Sequence, residues 1–215
     1  MIELLVKAGV AYLLGSVVAS LFIGRLRGVD VREHGSGNAG ATNALRTLGT
    51  KVALLVLLID VVKGWIATGV IARWTVPPEI AAAPELSAWC VPVCALAVML
   101  GHVYPLWYGF RGGKGMATLL GAVLGINARL VLPMIVAWLI TVILTGFVGL
   151  GSMVATLALA VSMALGHAGA PLLTFGILAV LLLAFTHRAN IARMRAGTES
   201  RARRLWLFGT RRGAA

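Results

Sequence analysis

The chain has 215 residues, of which 60% are apolar and 12% charged, and its mean hydropathy is +0.94. These values lie outside the range of soluble globular domains and predict a membrane protein. A formal net charge of +12 is common in nucleic-acid-binding proteins, but in so apolar a chain it indicates basic residues that flank membrane spans, so we expect no nucleic acid partner.

The apolar runs, taken in chain order, predict an all-α, polytopic membrane protein with a single domain over residues 1–215. A membrane-spanning helix needs about 20 apolar residues, and about seven segments approach that length. The first run carries Glu3 and lacks a clean basic start, so we expect an uncleaved span rather than a removed signal peptide. The seven predicted spans lie at 2–23, 50–73, 88–105, 114–128, 130–146, 152–167 and 170–186.

The basic residues predict the orientation, because Lys and Arg in short loops stay on the cytoplasmic side. With seven spans, one face receives residues 24–51, residues 106–114 and the tail at about 187–215, which together carry 15 of the 19 basic residues. We therefore expect the N-terminus outside and the C-terminus in the cytoplasm. The polar stretches GSGNAGATN, FRGGKG, GLGS and HRAN then all face the cytoplasm, and we expect these glycine-rich loops to form one site.

The first polar stretch, residues 34–46, has the composition of a phosphate-binding loop. Its glycines let backbone N–H groups turn inward as an anion-binding nest, and Arg46 adds a planar fork that suits phosphate. An ordinary flexible connector is the alternative. The position of Arg46, about one helical turn after the last polar side chains, favours the phosphate site. The short polar side chains of the stretch are Ser36, Asn38, Thr42 and Asn43.

The second stretch, residues 101–118, resembles a nucleotide-binding P-loop only superficially. Tyr108 stands where the first glycine of that motif belongs, and Gly115 stands where Ser or Thr would bind magnesium. What remains is a glycine turn with Lys114 at the start of a helix, which favours anion binding. An interfacial anchoring lysine is the alternative. We expect His102, near the end of a span, to be a packed residue rather than a catalyst.

The third and fourth stretches each offer polar side chains close to a helix end. Ser152 follows the GLG turn, where capping of the next helix is the alternative to a role in the site. His187 and Asn190 are three residues apart and hence on one helical face. A basic helix end that contacts anionic lipid is the alternative for this segment.

Two pairs of residues inside the spans favour structural roles. Asp60 and Lys63 are three apart within the second span, where isolated charges are costly, so we expect them to pair and support the site. Cys90 and Cys94 lie four apart in an apolar run without a second ligand pair, so we expect buried side chains and no metal site.

Taken in order, five stretches resemble the signatures of the bacterial acyl-phosphate:glycerol-3-phosphate acyltransferases. They are GSGNAGATN with Arg46, DVVKG, GHVYPLWYGFRGGKG, GLGS and HRANIARMRAGTE. The resemblance implies an integral enzyme of the bacterial cytoplasmic (inner) membrane, without metal or cofactor. Such an enzyme transfers a fatty acyl group from acyl phosphate to the 1-hydroxyl of glycerol 3-phosphate, giving lysophosphatidic acid and phosphate, the first step of phospholipid synthesis.

The resemblance also implies roles for individual residues. Arg111 stands where this family often has lysine, and Gly149 stands where it often has serine. For the phosphoryl group of acyl phosphate, the implied residues are Ser36, Gly37, Asn38, Gly40, Thr42, Asn43, Gly113 and Gly115. For glycerol 3-phosphate they are Arg46, Lys114, Ser152, His187 and Asn190, of which Lys114, His187 and Ser152 are the candidate catalytic residues.

The mechanism that this implies needs no protein nucleophile, because acyl phosphate is already activated. The base is either the departing phosphate or His187, and the sequence leaves both open. None of the 4 histidines is followed five residues later by aspartate, so the histidine–acid pair of acyltransferases that use coenzyme A thioesters is missing.

A small membrane transporter for anions or phosphate esters is the alternative function, because glycine-broken helices at membrane depth also bind phosphates. The sequence shows no inverted repeat that would support it. The expected partners are acyl phosphate, glycerol 3-phosphate and membrane lipid. A soluble enzyme that makes acyl phosphate is a candidate transient partner for the basic tail.

Overall fold

The computed structural model of the protein describes residues 1–203 and 205–209, and within these ranges every regular element is a helix. The all-α prediction is confirmed. Three arginines that contributed to the predicted orientation, Arg204, Arg211 and Arg212, lie outside the described residues. The helices are α1 Ile2–Gly15, α2 Ala19–Leu26, α3 Ala41–Thr47, α4 Thr50–Gly69, α5 Pro84–Ser87, α6 Cys90–Val103, α7 Met116–Ile126, α8 Val131–Thr145, α9 Val148–Leu165, α10 Ala170–Thr186 and α11 Arg188–Arg195.

Length and apolar composition decide which of these helices could cross a bilayer. Four helical segments qualify alone, and six qualify if α1 with α2 (bent by 41°) and α10 with α11 (bent by 53°) each count as one span. Helix α7 has 11 residues and is about 16 Å long, shorter than the roughly 30 Å hydrocarbon core. The predicted count of seven spans therefore depends on α7 and stays a prediction.

The first predicted span, 2–23, consists of two helices rather than one. The chain leaves helical geometry between Gly15 and Ala19, and two carbonyl groups freed by the break have a partner. Lys63 Nζ of α4 donates hydrogen bonds to the carbonyl oxygens of Gly15 at 3.1 Å and Val17 at 3.0 Å. A break at membrane depth is tolerated where the released backbone groups find such partners. The periodicity of the apolar residues gave no sign of this partner.

The GLGS stretch is helical and does not form a loop. Helix α9 begins at Val148 rather than at 152 as predicted, so the connection from α8 consists of Gly146 and Phe147 alone. Gly146 has a φ of +77°, in the left-handed region that favours glycine. Gly149 and Gly151 lie within the first turn of α9, so these glycines do not mark the end of a loop.

Close contacts through glycine hold the helices in pairs. A Cβ on Gly121 of α7 would lie 1.8 Å from the carbonyl oxygen of Val61 in α4, and a Cβ on Gly101 of α6 would lie 2.1 Å from that of Tyr12 in α1. No side chain fits at either position, as is common where membrane helices approach closely. These contacts fix the helix ends from which the polar stretches extend.

Two further predictions about buried residues are confirmed. Asp60 and Lys63 form an ion pair with 2.8 Å between Oδ1 and Nζ, and both side chains are buried. Cys90 and Cys94 are buried free thiols. At the opposite end of the bundle from the polar stretches, Glu3 pairs with Lys7 at 2.6 Å.

Candidate active site

The first polar stretch forms a compact loop that is organised by the buried side chain of Asn43. Its Oδ1 accepts the backbone N–H of Ser36 at 2.8 Å, and its Nδ2 donates to the carbonyl oxygens of Val31 at 2.7 Å and His34 at 3.0 Å. Both amide hydrogens are therefore used within the loop. The Asn43 side chain has no free donor for an anion, and it acts on the loop's shape.

The conformation of this loop requires two glycines. Gly35 has a φ of +61° and Gly37 a φ of +70°, and a Cβ on Gly35 would lie 2.4 Å from Asn43 Oδ1. Gly40 is the N-cap of α3, the short helix that carries Thr42, Asn43 and Arg46. Of the other predicted site residues in the loop, Ser36, Gly37 and Thr42 are exposed, while Asn38 and Gly40 are half-buried.

Arg32, which the sequence reasoning missed, joins the first polar stretch to the second. Its guanidinium forms an ion pair with Asp30 at 2.7 Å. It also donates to the carbonyl oxygens of Tyr108 at 2.9 Å and Arg111 at 3.2 Å. Hydrogen bonding to Arg32 holds the pKa of Asp30 below its usual value. The sequence did offer one signal for this pair. Asp30 lies two positions before Arg32, and the chain has only 7 acidic residues.

The second stretch folds back over the end of α6 as a turn that carries Lys114. The N–H of Gly112 donates to the carbonyl oxygen of Val103 at 3.0 Å, and the N–H of Gly113 donates to that of His102 at 3.1 Å. Gly115, with a φ of +90°, is the N-cap of α7. Lys114 is thereby placed immediately before the start of α7, as predicted.

Lys114 belongs to a chain of polar contacts with the fourth stretch. Its ammonium donates to Asn190 Oδ1, Asn190 Nδ2 donates to Glu199 Oε1 at 2.6 Å, and Glu199 pairs with Arg193 at 2.6 Å. The carbonyl oxygen of Lys114 also accepts the Thr186 hydroxyl at 3.1 Å. The structure thus brings together Lys114 and Asn190, which lie far apart in sequence. The sequence reasoning missed Glu199.

The electrostatics of the cluster set the protonation of its two titratable bases. Burial lowers the pKa of Lys114 to about 8, the positive charge of Arg193 adds to this effect, and Glu199 opposes it. Burial also lowers the pKa of His187 to about 4, assisted by the charge of Lys114. Lys114 is therefore mainly cationic and His187 neutral at pH 7.

The hydrogen bond made by His187 indicates its tautomer. Its Nδ1 lies 2.8 Å from the carbonyl oxygen of Leu183, and a carbonyl can only accept, so Nδ1 carries the proton. Nε2 of the neutral imidazole then holds a lone pair. His187 is buried, and it offers one acceptor atom next to the Lys114 cluster.

The third stretch contributes through α9. Ser152 lies in the second turn of the helix and donates to the carbonyl oxygen of Val148 at 3.1 Å, so the alternative that it caps the helix is wrong. Three residues earlier, a Cβ on Gly149 would lie 3.0 Å from the amide carbon of Asn190. Gly149 thus lets Asn190 pack against α9, and a serine there would need the amide to shift.

Arg46 connects the first stretch with the C-terminal segment. Its guanidinium is exposed and donates to the Ser200 hydroxyl at 3.0 Å, and Ser200 follows Glu199, which contacts Asn190. All four polar stretches are therefore linked by named contacts at one end of the bundle. Within the described residues no group of three or more His, Cys, Asp or Glu side chains is close enough to hold a metal ion.

This arrangement is suited to binding anions beside a neutral base. Arg46, Lys114 and Arg193 supply positive charge, the loop at residues 34–40 supplies the exposed Ser36 side chain, and His187 Nε2 supplies an acceptor. Such a set neutralises phosphate groups and aligns them.

Comparison with known proteins connects this site to a family. The model of the family described as glycerol-3-phosphate acyltransferase matches residues 5–197. Relatives with the same name include a protein of Bordetella pertussis, 43% identical over 89% of this chain and 88% of its own length. Another, from Geotalea daltonii, is 42% identical over 88% of this chain and 93% of its own length.

Two solved structures have the same fold. One is the crystal structure of PlsY (YgiH), an integral membrane glycerol 3-phosphate acyltransferase, in its glycerol 3-phosphate form, with a TM-score of 0.83 at 34% identity over 92% of this chain and 94% of that chain. The other is the lysophosphatidic acid form of the same enzyme, with a TM-score of 0.79, the same identity and the same coverage.

Proposed function

The chain belongs to the glycerol-3-phosphate acyltransferase family and is a multi-pass membrane acyltransferase that acts on glycerol 3-phosphate, and we propose that its acyl donor is an acyl phosphate. The products are lysophosphatidic acid and inorganic phosphate. Because the relatives are acyltransferases, the transporter alternative loses its support.

The observation that carries this proposal is the set of polar contacts that joins Arg46, Lys114 and Asn190 beside the glycine-rich loop at residues 34–40, to which we assign the second anion site. Two anion sites fit two substrates that each carry a phosphate. We assign the loop residues Ser36, Gly37, Asn38, Gly40 and Thr42, with the turn glycines Gly113 and Gly115, to the phosphoryl group of the donor. Asn43 shapes this loop, because its amide hydrogens are already used.

The glycerol 3-phosphate site in this proposal lies between α3, the Lys114 turn and α11. Arg46 and Lys114 neutralise its phosphate, and Asn190 orients Lys114 through the contact between them. Ser152 and His187, which are both buried, lie on the side of α9 and α10. In these positions they would contact the glycerol hydroxyl groups.

The reaction needs alignment and charge neutralisation rather than a protein nucleophile. The 1-hydroxyl oxygen of glycerol 3-phosphate attacks the acyl carbonyl carbon, a C–O ester bond forms, and the bond from that carbon to the phosphate oxygen breaks. The hydroxyl proton passes to the departing phosphate. Because Lys114 lies between Gly113 and Gly115, which we assign to the donor, its charge stabilises the leaving group as well as the phosphate of glycerol 3-phosphate.

The low pKa of His187 supports phosphate rather than His187 as the base. A base is effective when its pKa lies near the working pH, and burial holds the pKa of His187 at about 4, whereas the departing phosphate gains basicity as its bond to the acyl carbon breaks. His187 Nε2 then accepts a hydrogen bond from the 2-hydroxyl of glycerol 3-phosphate and orients the substrate, while the proton of the 1-hydroxyl passes to the phosphate.

We further propose that this site faces the cytoplasm from the bacterial inner membrane. Most of the basic residues that the structure describes lie at the same end as the four polar stretches, in line with the rule that Lys and Arg stay inside. Glycerol 3-phosphate and an acyl phosphate made by a soluble enzyme would both reach the site from that side.

The donor is tested with purified protein in detergent, given glycerol 3-phosphate and either palmitoyl phosphate or palmitoyl-coenzyme A. We expect equal amounts of phosphate and lysophosphatidic acid from the first donor, without added metal or nucleotide, and only background from the second. The Lys114→Ala variant controls for contaminating enzymes. We expect it to be at least about 100-fold slower, as when an oxyanion contact is lost. Comparable use of palmitoyl-coenzyme A would contradict the proposal.

A further inference from the structure

A buried polar cluster inside the bundle contacts the Lys114 turn on the side that faces the interior of the protein. Its members are Asp60 and Lys63 of α4 and His102 of α6, and their side chains are at most 3% exposed. Asp60 Oδ1 approaches Lys63 Nζ to 2.8 Å and His102 Nδ1 to 3.4 Å. Ionisable side chains at membrane depth are costly and are retained mainly where they serve a function.

The contact between Lys63 and His102 fixes the state of the imidazole. Lys63 Nζ lies 2.8 Å from His102 Nδ1, and an ammonium group can only donate hydrogen bonds. Nδ1 is therefore the acceptor, and the ring is held by this bond in a single orientation. The opposite atom of the ring, Nε2, points away from Lys63.

The tip of this ring fills the space beside Gly113. A Cβ on Gly113 would lie 2.1 Å from His102 Nε2, 2.9 Å from Cε1 and 3.1 Å from Cδ2, and these are the three nearest atoms. The carbonyl oxygen of the same histidine accepts the N–H of Gly113 at 3.1 Å. His102 thus contacts, through both backbone and ring, the residue that precedes Lys114.

Lys63 also contacts the segment that supports the phosphate loop, the other proposed anion-binding part of the site. Its ammonium holds the carbonyl oxygens of Gly15 and Val17 at the break between α1 and α2. Helix α2 then carries Ser20, whose hydroxyl donates to the carbonyl oxygen of Ala39 in the first polar stretch at 2.8 Å. One buried cation therefore connects the support of the phosphate loop with the support of the Lys114 turn.

We propose that His102, held by Lys63, whose charge Asp60 balances, is a positioning residue that fixes the turn carrying Lys114 relative to the phosphate loop. This inference rests on the proposed function and deepens it. Misplacement of a catalytic group by about 1 Å can cost roughly 100-fold in rate, so loss of the contact should lower kcat at saturating substrates. The affinity for each substrate should change less, because the anion-binding groups themselves remain.

A double-mutant cycle between His102→Asn and Gly113→Ala tests the contact. Gly113 has no positive φ, so the imidazole tip is the nearest obstacle to an alanine there. Asparagine keeps an oxygen that can accept from Lys63 but leaves room beside residue 113. We expect each single variant to lose about tenfold or more in kcat with KM within threefold, and the double variant to lose at least tenfold less than the product of the two.

Gly112→Ala is the matched control. A Cβ on Gly112 would lie 2.0 Å from the backbone carbonyl oxygen of His102, an obstacle that shortening the His102 side chain does not remove. His102→Asn should therefore not relieve Gly112→Ala. The inference would be overturned if the kcat loss of the double variant equalled the product of the two single losses. It would also be overturned if His102→Asn relieved both glycine variants equally, or if only KM changed.

Folding is measured beside activity, by size-exclusion chromatography and thermal melting in detergent. If Gly113→Ala is not recovered as folded protein, its combination with His102→Asn must be recovered, whereas Gly112→Ala with His102→Asn must not. If the wild-type protein forms no lysophosphatidic acid, the proposed function fails. If the wild type is active but the kcat losses of His102→Asn and Gly113→Ala simply multiply in the double variant, only the positioning role is overturned.

The ion pair is tested by removing both charges together, as Asp60→Asn with Lys63→Gln, because a single change would leave one buried charge unpaired. We expect this neutral pair to fold and to lose kcat to about the same extent as His102→Asn. An unchanged kcat would show that the ring keeps its position without the pair and would overturn that part of the inference.

Discussion

Arg46, which we propose binds the phosphate of glycerol 3-phosphate, also contacts another segment of the protein. It lies on α3, is exposed, and already donates to Ser200 at 3.0 Å. A guanidinium has five N–H donors, so this bond leaves donors for a phosphate. The question at the residue scale is which of the two contacts matters for turnover.

We predict that Arg46→Ala raises the KM for glycerol 3-phosphate more than that for the acyl donor. Hydrogen bonds to charged groups contribute about 1.5–3 kcal/mol, so a rise of roughly 10- to 100-fold is expected from initial rates measured with each substrate varied in turn. Arg46→Lys should restore part of the loss, since it keeps the charge but not the planar fork.

The control for Arg46 is Ser200→Ala, which removes its protein partner alone. This variant should stay within threefold of the wild type. If it reproduced the defect of Arg46→Ala, the arginine would act by holding the C-terminal segment in place. An equal rise in both KM values would mean instead that Arg46 shapes the whole loop.

The second prediction at the residue scale concerns the protonation of Lys114. Its pKa is lowered to about 8 by burial and by the charge of Arg193, and only the ammonium form binds anions. As the pH rises through about 8, the free enzyme loses this charge, so kcat/KM should fall about tenfold per pH unit above that value. Arg193→Gln should move this limb to higher pH, because it removes the neighbouring positive charge.

The matched control for the pH profile is Arg195→Gln. Arg195 is exposed at the same end of α11, and it is not among the groups that shift the pKa of Lys114. In Arg195→Gln, kcat/KM should fall with rising pH at the same pH as in the wild type. A limb that stays near pH 8 in Arg193→Gln would mean that another group controls the profile.

At the scale of whole helices, the close pairing of α4 with α7 is the feature that places the Lys114 turn. Helix α7 starts at Met116, directly after the turn, and a Cβ on Gly121 would lie 1.8 Å from the carbonyl oxygen of Val61. A second contact supports the pair, since Thr68 of α4 donates to the carbonyl oxygen of Ala122 at 2.8 Å. Any separation of these helices would move the start of α7.

We predict that Gly121→Ala destabilises the protein and lowers its activity. Overpacking a tight contact costs about 1–3 kcal/mol, so the melting temperature in detergent should drop by several degrees. The control is Gly9→Ala in α1, where a Cβ would meet nothing within 4 Å. Because alanine favours helix over glycine by roughly 1 kcal/mol, that variant should melt at the same temperature or slightly higher. Equal melting of the two variants would contradict the packing argument.

At the scale of the whole molecule, the orientation in the membrane is the property that connects the site to its substrates. The two ends of the bundle differ, since the four polar stretches lie at one end and the Glu3–Lys7 pair lies at the other. The two native thiols are buried, so a single introduced cysteine reports its own position.

We predict that Ala83→Cys is labelled by a membrane-impermeant maleimide in intact spheroplasts, whereas Ala196→Cys is labelled only after permeabilisation. Both positions are exposed and lie at opposite ends of the bundle. The wild-type protein should stay unlabelled in both conditions. The reverse pattern would place the site outside the cytoplasm and contradict the proposed orientation.

Local composition and spacing were enough to predict several properties of this chain. The apolar runs predicted the main helices, because a chain in lipid must bury its backbone polar groups within helices. The three-residue spacing of Asp60 and Lys63 predicted their ion pair, since residues at this spacing share one helical face. The glycine turn before Lys114 likewise predicted a lysine close to a helix start.

The contacts between distant segments could not be predicted, because they depend on how the helices pack. The break in the first span depends on Lys63, which lies about fifty residues further along the chain. The proposed role of His102 beside Gly113 depends on the same lysine, because Lys63 contacts the His102 ring. The partners of Arg32, Asn190 and Glu199 were equally hidden, because hydrogen bonds between segments depend on helix packing rather than on local sequence. Hydropathy and spacing describe how each helix meets lipid and its near neighbours, whereas the glycine contacts between helices determine which polar groups meet.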